Sequence, residues 1–277
     1  MGDTDFYVAA LKGKILSLHP KAQIIDITHK ITPFNIAQGA FTIKNAAIEF
    51  PDNTIHILGI SPEIDIDIDR PEDGIYPLLV RYKNQYFIGA DNGQFSLLFG
   101  QESPDEIIRL ENHLSNQQDI NFPIKNIFIP VAAAISKGEK PEELGTAIQS
   151  VRQAFSFAPV IEENLIKGSI VHIDHYGNVL TNISKADFDR VGKNNPFTIF
   201  FRTKDYFIEE LSNAYGAVPQ GEKVALFSSS GFLEIAINQG VRGMGGGASE
   251  LFGLHLNDVI RVEFYPKGSA ENFDKLF

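Results

Sequence analysis

Val8, Leu11 and Ile15 fall on one face at helical spacing, so the first element expected is a helix over residues 3–18, capped by Asp3 or Thr4 and stopped by Pro20. An apolar run predicts a strand over 23–27. A second helix over 36–49 follows, capped by Asn35 and ended by Pro51-Asp52, and then a strand over 55–60. Helix alternating with strand predicts a parallel sheet with helical crossovers. Two further runs, 78–82 and 85–88, form a hairpin pair around Lys83-Asn84 and lead through Ala90-Asp91-Asn92-Gly93 to a short helix containing Phe95 and Phe99. More helices are predicted around 105–110, 131–136 and 142–148.

The pattern changes after about Gln153. Pro159 and Glu162-Glu163 mark a linker, and beyond Gly168 the apolar runs are short and separated by turn residues, predicting strands at 169–173, 179–183, 198–201, 223–227, 232–237 and 259–264. The expected organisation is an α/β N-terminal domain over 1–155 with a mostly parallel sheet, a linker over 156–167, and an all-β, barrel-like C-terminal domain over 168–277. One feature is odd for an α/β domain: the pattern opens on a helix, as though the strand that founds the sheet were absent.

Composition narrows the function classes. A chain of 277 residues is long enough for two cores. The net charge of -11 argues against a nucleic-acid partner, which needs clustered Lys and Arg. With no cysteine, disulfides, thiolate nucleophiles and Cys-based metal sites are excluded, and the cytoplasm is the expected location. The opening MGDTDFY has neither the basic region nor the apolar run of a secretory signal, Phe6 stands where a myristoylation signal wants Ser or Thr, and no apolar run is long enough to span a bilayer, so no membrane partner is expected.

The densest polar stretch is HIDHYGNVLTNI at 172–183. Gly177-Asn178 suits the reversal of a hairpin, and Asp174, Asn178 and Asn182 recur on and beside it, which fits either a ligand site or a turn whose Asp and Asn bond their own backbone. Other stretches carry less. Glu63, Asp65, Asp67 and Asp69 alternate with isoleucines, but the loop lacks an EF-hand's glycine and terminal Glu, and a solvated edge is the better reading. Gly243 to Ala248 has no Lys-Ser or Lys-Thr after it and reads as a flexible connection. Asp26-Ile27-Thr28-His29 would end a parallel strand, where ligands of open α/β sheets collect, although a lone His is more often structural. Ser228-Ser229-Ser230-Gly231 lacks the flanking glycines of a hydrolase elbow. No metal site is expected.

Five stretches together carry a family resemblance: DFYVAALKG at 5–13, DITHKITPFNI at 26–36, GADNG at 89–93, IDHYGNVLTNI at 173–183 and SSSGFLEIAINQG at 228–240. In this order they resemble the S-adenosylmethionine hydroxide adenosyltransferase family, relatives of the fluorinating and chlorinating enzymes, over nearly the whole chain. The resemblance implies a homotrimer whose sites lie between the N-domain of one subunit and the C-domain of the next. It also implies attack of a water-derived nucleophile at C5′ of S-adenosylmethionine (SAM), releasing methionine and adenosine, with SAM as substrate and no cofactor. By the same resemblance Phe34 packs on the nucleoside, Asp174, Tyr176 and Asn178 contact the adenosine and methionine parts, Tyr215 is a second stacking ring, and Ser229, Ser230 and Glu234 close the site. Asp5, Ser61 and Phe122 complete the expected binding positions.

The sequence also departs from the family. Hydrolytic members carry an acid in an Asp-Pro-Gly-Val-Gly stretch, an arginine shortly after it, and a histidine in a Phe-His-Gly-Arg-Asp stretch. Here the acid position is Ser61, the histidine position is Pro123, and Arg70 stands near the arginine position but shifted. Neither Ser61 nor Pro123 can act as a general base. The expectation is therefore a SAM hydrolase with its catalytic group unassigned, or a family member that binds SAM or adenosine without turnover. The family also has a strand ending in Thr-Asp-Phe-Gly ahead of the first helix, whose Asp holds the ribose hydroxyls, and the expectation is that this chain lacks it.

Overall fold

The computed structural model describes residues 4–66, 73–114, 120–154, 158–241, 243 and 246–265. The chain divides into two compact units, Met1–Phe155 and Ser156–Phe277.

Unit 1 holds helix α1 (Tyr7–Leu18), α2 (Ile36–Ala47), strand β1 (Ile55–Ile57), β2 (Pro77–Tyr82), β3 (Gln85–Ala90), α3 (Gln94–Phe99), β4 (Glu106–Arg109), α4 (Ile129–Ser136), α5 (Pro141–Leu144) and β5 (Thr146–Ala147). The Asn35 side chain caps α2 by accepting from Gln38 N. Lys83 and Asn84 both take positive φ, which turns β2 tightly into β3. Alternate β2 residues serve opposite faces: Leu78 and Val80 pack with Ala40 and Ile43 of α2 and Phe95 of α3, while Leu79 packs with Ile127, Phe128 and Val131. The sheet is thus covered on both faces.

Its order is β1-β3-β2-β4-β5, and only β1 with β3 is parallel. The remaining pairs, β2 with β3, β2 with β4 and β4 with β5, are antiparallel, which corrects the mostly parallel sheet expected from sequence. Three local expectations fail with it, the first being the helix expected around 142–148, which ends at Leu144 and gives way to β5 against β4. Residues 106–109 are a strand against β2 rather than a helix, and residues 22–28 have no strand assignment, because no neighbour among the described residues pairs with them. Among the described residues β1 is bonded on one side only: Tyr86 N donates to Thr54 O and Leu58 N to Ile88 O. Since successive strand residues turn their backbone groups to opposite sides, Ile55 and Ile57 present theirs away from β3.

Unit 2 is antiparallel throughout. Its strands are β6 (Val160–Glu162), β7 (Leu165–Ile173), β8 (Val179–Ser184), β9 (Phe197–Phe201), β10 (Thr203–Ile208), β11 (Lys223–Phe227), β12 (Phe232–Ile237) and β13 (Val259–Phe264), with helix α6 (Lys185–Gly192) after β8 and α7 (Ala248–Leu251) before β13. They follow the order β10-β9-β13-β7-β8-β12-β11, with β6 on β7, in a nearly closed barrel-like sheet. The segment read as a linker thus contains β6 and the start of β7, paired Val160 to Lys167. The core gathers alternate residues of these strands, including Ile166, Ile170, Val179, Ile183, Leu233, Ile235, Ile260 and Val262.

Candidate functional site

In unit 2 the β7–β8 reversal is built by its own polar residues. Asp174 Oδ1 accepts from Asn178 N at 2.9 Å and Asp174 Oδ2 from Asn178 Nδ2 at 3.0 Å, while Asp174 N donates to Asn178 O. Gly177 has φ +85, the left-handed region an Asp-to-Asn turn needs. The loop before α7 closes over this tip: Ser249 N donates to Gly177 O at 2.8 Å, and a Cβ on Gly247 would overlap the Tyr176 carbonyl. Gly247 is therefore fitted to the turn, with no room for a side chain; within the stretch expected to be a flexible connection, Met244 and Gly245 lie outside the described residues. This close approach leaves Tyr176 projecting, 55% exposed.

Beside the tip stands Glu234 of β12, only 3% exposed, whose Oε1 accepts the Tyr215 hydroxyl at 2.8 Å. Burial raises the Glu234 pKa, the Tyr215 hydrogen bond opposes this, and the Asp174 charge raises it further. Burial is also the main cause that pushes the Tyr215 phenol well up, followed by Glu234 and Asp174. The structure thus brings Asp174, Asn178, Tyr215 and Glu234 together. Burial likewise lowers His172 below its usual value, so its ring is neutral at pH 7. Ser229 and Ser230 sit in the β11–β12 turn, where Ser228 Oγ and Ser230 Oγ are 2.7 Å apart and Gly231 N donates to Ser228 O; Ser229 is exposed and Ser230 half-buried.

Unit 1 carries the other expected positions. A cleft of about 1320 Å³ is lined by α1 residues Val8, Leu11 and Ile15, by Ile24 to Ile27, and by β1, and it also takes in Phe34, Ser61, Phe122 and Pro123. Phe34 is 75% exposed with φ +64. Ser61 has φ +43, and Asn92 Nδ2 holds its turn by donating to Ile60 O at 3.1 Å and Ser61 O at 2.8 Å. Asp91 accepts from Arg152 N, and burial raises its pKa against that bond, so GADNG is a loop-building motif. Pro123 is buried at the start of a π-helical turn, Ile124–Phe128, and Phe122 meets Tyr7 edge-on at 5.8 Å. Asp26 is tied to Lys12 at 2.5 Å and to His29 at 3.1 Å, and its pKa is lowered chiefly by Lys12. Asp5 is exposed, and Arg70, Asp67 and Asp69 lie outside the described residues. Among the described residues there is no cluster of three or more His, Asp or Glu side chains placed to hold a metal, and no helix long and apolar enough to cross a membrane.

The strap carrying Tyr215 was half legible. Tyr215 itself is picked out by the resemblance, but nothing in the spacing of 211–219 announces that Ser212 N donates to Ala225 O and that Asn238 Nδ2 donates to Val218 O at 2.7 Å, laying the segment along β11 and β12.

An α/β unit and a nearly closed antiparallel barrel unit, the latter with an acid-lined, aromatic-flanked turn, define a two-unit small-ligand protein. Residues 1–145 match the model of the SAM hydroxide adenosyltransferase N-terminal domain and residues 168–261 that of its C-terminal domain, and the chain belongs to this family. An (R)-S-adenosyl-L-methionine hydrolase of Methanocaldococcus jannaschii is 28% identical over 254 residues, covering 85% of this chain and 84% of the relative. A fluorinase of an Actinoplanes species is 24% identical, covering 69% and 72%. The crystal structure of an uncharacterized conserved protein from Thermotoga maritima superposes with a TM-score of 0.81 at 28% identity, covering 94% of this chain and 96% of that one.

Proposed function

We propose that this chain is an enzyme that hydrolyses SAM to adenosine and methionine by displacement at C5′. The observation that carries the substrate is the acid-lined turn of unit 2. Asp174 and Glu234 place two carboxyl groups beside the exposed rings of Tyr176 and Tyr215. SAM carries a sulfonium and an ammonium next to a flat purine, so carboxylates and aromatic faces are the groups that suit it. A neutral nucleoside would use the rings and Asn178 but gain little from the charge.

The roles follow from the chemistry. Asp174 and Asn178, locked to each other, offer a fixed charge and a fixed amide; Tyr176, Tyr215 and Phe34 offer ring faces; Ser61 and Phe122 line the expected water side, and Ser229 and Ser230 edge the site. The sulfonium is already a good leaving group, so catalysis needs alignment of a water with C5′ and exclusion of bulk solvent more than covalent help. General acid–base help is typically worth 10²–10⁴-fold. With Ser61 and Pro123 where a base would stand, turnover is slow. The active form is a homotrimer with sites formed where subunits meet, working in the cytoplasm without a cofactor.

Ser61 and Pro123 also favour a second reading, a family member that binds SAM or adenosine and has lost turnover. Incubation with SAM followed by chromatography separates the two: adenosine release proportional to enzyme concentration supports hydrolysis, whereas calorimetric binding without adenosine leaves the second. Light scattering at three times the 30.7 kDa chain mass checks the trimer.

A further inference from the structure

Glu234 is an anomaly in its strand. Leu233, Ile235 and Ile237 point into the barrel core, and the opposite face of the same sheet holds a small apolar patch of Val224, Leu226 and Ala236 covered by Val218. Glu234 lies on that second face, paired across the sheet with Leu226 on one side and Leu180 on the other. An acid there carries a desolvation cost that an apolar residue would avoid. The fold gives it no ion-pair partner among the described residues; its carboxylate meets the hydroxyl of Tyr215, a residue 42% exposed.

Tyr215 opens a single 3-10 turn, Tyr215–Ala217, in a strap that is held to the barrel by side-chain and backbone bonds. Three bonds tie the strap down: Ser212 N to Ala225 O at 2.8 Å, the Tyr215 hydroxyl to Glu234 Oε1 at 2.8 Å, and Asn238 Nδ2 to Val218 O at 2.7 Å. The outer two fix backbone, and the middle one alone fixes a side chain. We propose that Glu234 is a positioning residue that acts through Tyr215, anchoring the phenol so that the exposed ring stands at a set angle as a wall for the purine. This rests on the reading that unit 2 binds the nucleoside of SAM. The phenol oxygen lies on the Cβ–Cγ axis, so the bond fixes the direction of that axis before ligand arrives, and the preference of a phenol O–H for the ring plane orients the ring about it. The ordering cost of the ring is then met in folding rather than in binding.

The test uses the full chain and measures adenosine by calorimetry and SAM hydrolysis by chromatography. Glu234→Ala is expected to weaken adenosine about tenfold, the equivalent of about 1.4 kcal/mol, and to raise KM for SAM with kcat changed less than about twofold. Glu234→Gln keeps an acceptor for the phenol and holds affinity for the neutral adenosine within about threefold of wild type. Tyr215→Phe matches Glu234→Ala, and the double variant is no weaker than either single change, because both remove one tie. Asn238→Ala loosens the strap's backbone and serves as the structural control, expected to lower Tm with a smaller effect on KM. Wild-type affinity in Glu234→Ala, additive losses in the double variant, or losses that simply track Tm across all variants would overturn the proposal. A wild-type protein that binds neither SAM nor adenosine fails earlier, at the reading of the site, and takes this inference with it.

Discussion

The turn at Asp174 to Asn178 and the cleft beside β1 are opposites in construction. In the turn, polar groups are matched within the chain: the carboxylate with backbone and amide of Asn178, the Gly177 carbonyl with Ser249, the Tyr215 phenol with Glu234. In the cleft the lining is largely aliphatic, α1 has no fully buried residue, Ile25 is 67% exposed, and β1 is bonded on one side only among the described residues. A preorganised polar site favours selective recognition, because its groups are oriented before ligand arrives. The open cleft with Ser61 and Pro123 on its wall offers mainly surface, and its Asp26 carboxylate is tied to Lys12 and His29. On the proposed function, the difference gives recognition to the barrel unit and makes the α/β unit the weaker partner in catalysis.

The largest expected effect falls on the polar side. Asp174→Ala removes both bonds to Asn178 together with the charge, and SAM affinity measured by calorimetry should drop about a hundredfold, while Ser61→Ala should change it less than about threefold. Equal losses would erase the contrast between the two regions. Next, Gly247→Ala drives a methyl into the Tyr176 carbonyl, and chemical denaturation should record a loss of about 1–3 kcal/mol; an unchanged midpoint would mean that the loop does not bear on the tip. Catalysis sharpens the comparison from the other side. Asp tolerates the left-handed backbone that Ser61 already adopts, so Ser61→Asp should raise kcat for SAM hydrolysis about tenfold, a part of what a positioned base supplies. No gain would show that the missing acid is not what limits the rate.

The smallest effect is in pH dependence. Burial raises the Glu234 pKa above its unfolded value, so the folded state holds a proton that the unfolded state releases. That contribution to stability is complete below about pH 4.5 and fades as pH rises through the folded-state pKa. Glu234→Gln cannot titrate, so its Tm should gain on wild type as pH increases over this window. Parallel Tm curves for the two proteins would contradict the direction.

Much of this was legible before any coordinates. Lys83-Asn84 announced its hairpin because Asn tolerates positive φ, and Asn35 announced the α2 cap. The β-rich register after Gly168 followed from short apolar runs between turn residues. Failures came where pairing decides the outcome. Ile107 and Ile108 read equally well as helix or strand, and β2 lying alongside settles them as strand. Ile24, Ile25 and Ile27 have strand chemistry but no strand partner among the described residues, so they stay irregular. The same limit applies to direction, since alternation of helix and strand suggests parallel pairing while the tight β2–β3 turn forces antiparallel pairing. At the site, Asp174 and Asn178 could be named because they are neighbours in sequence, whereas the tie from Tyr215 to Glu234 spans 19 residues and the strap that makes it has no sequence signature.

The one-sided bonding of β1 among the described residues matters for how the protein behaves at the bench. Ile55 and Ile57 turn a row of backbone donors and acceptors toward an apolar opening, and such an edge accepts any extended segment that can match its spacing. Concentrated stocks will therefore tend to add strand to strand, making turbidity a more sensitive gauge of this region than loss of helical signal.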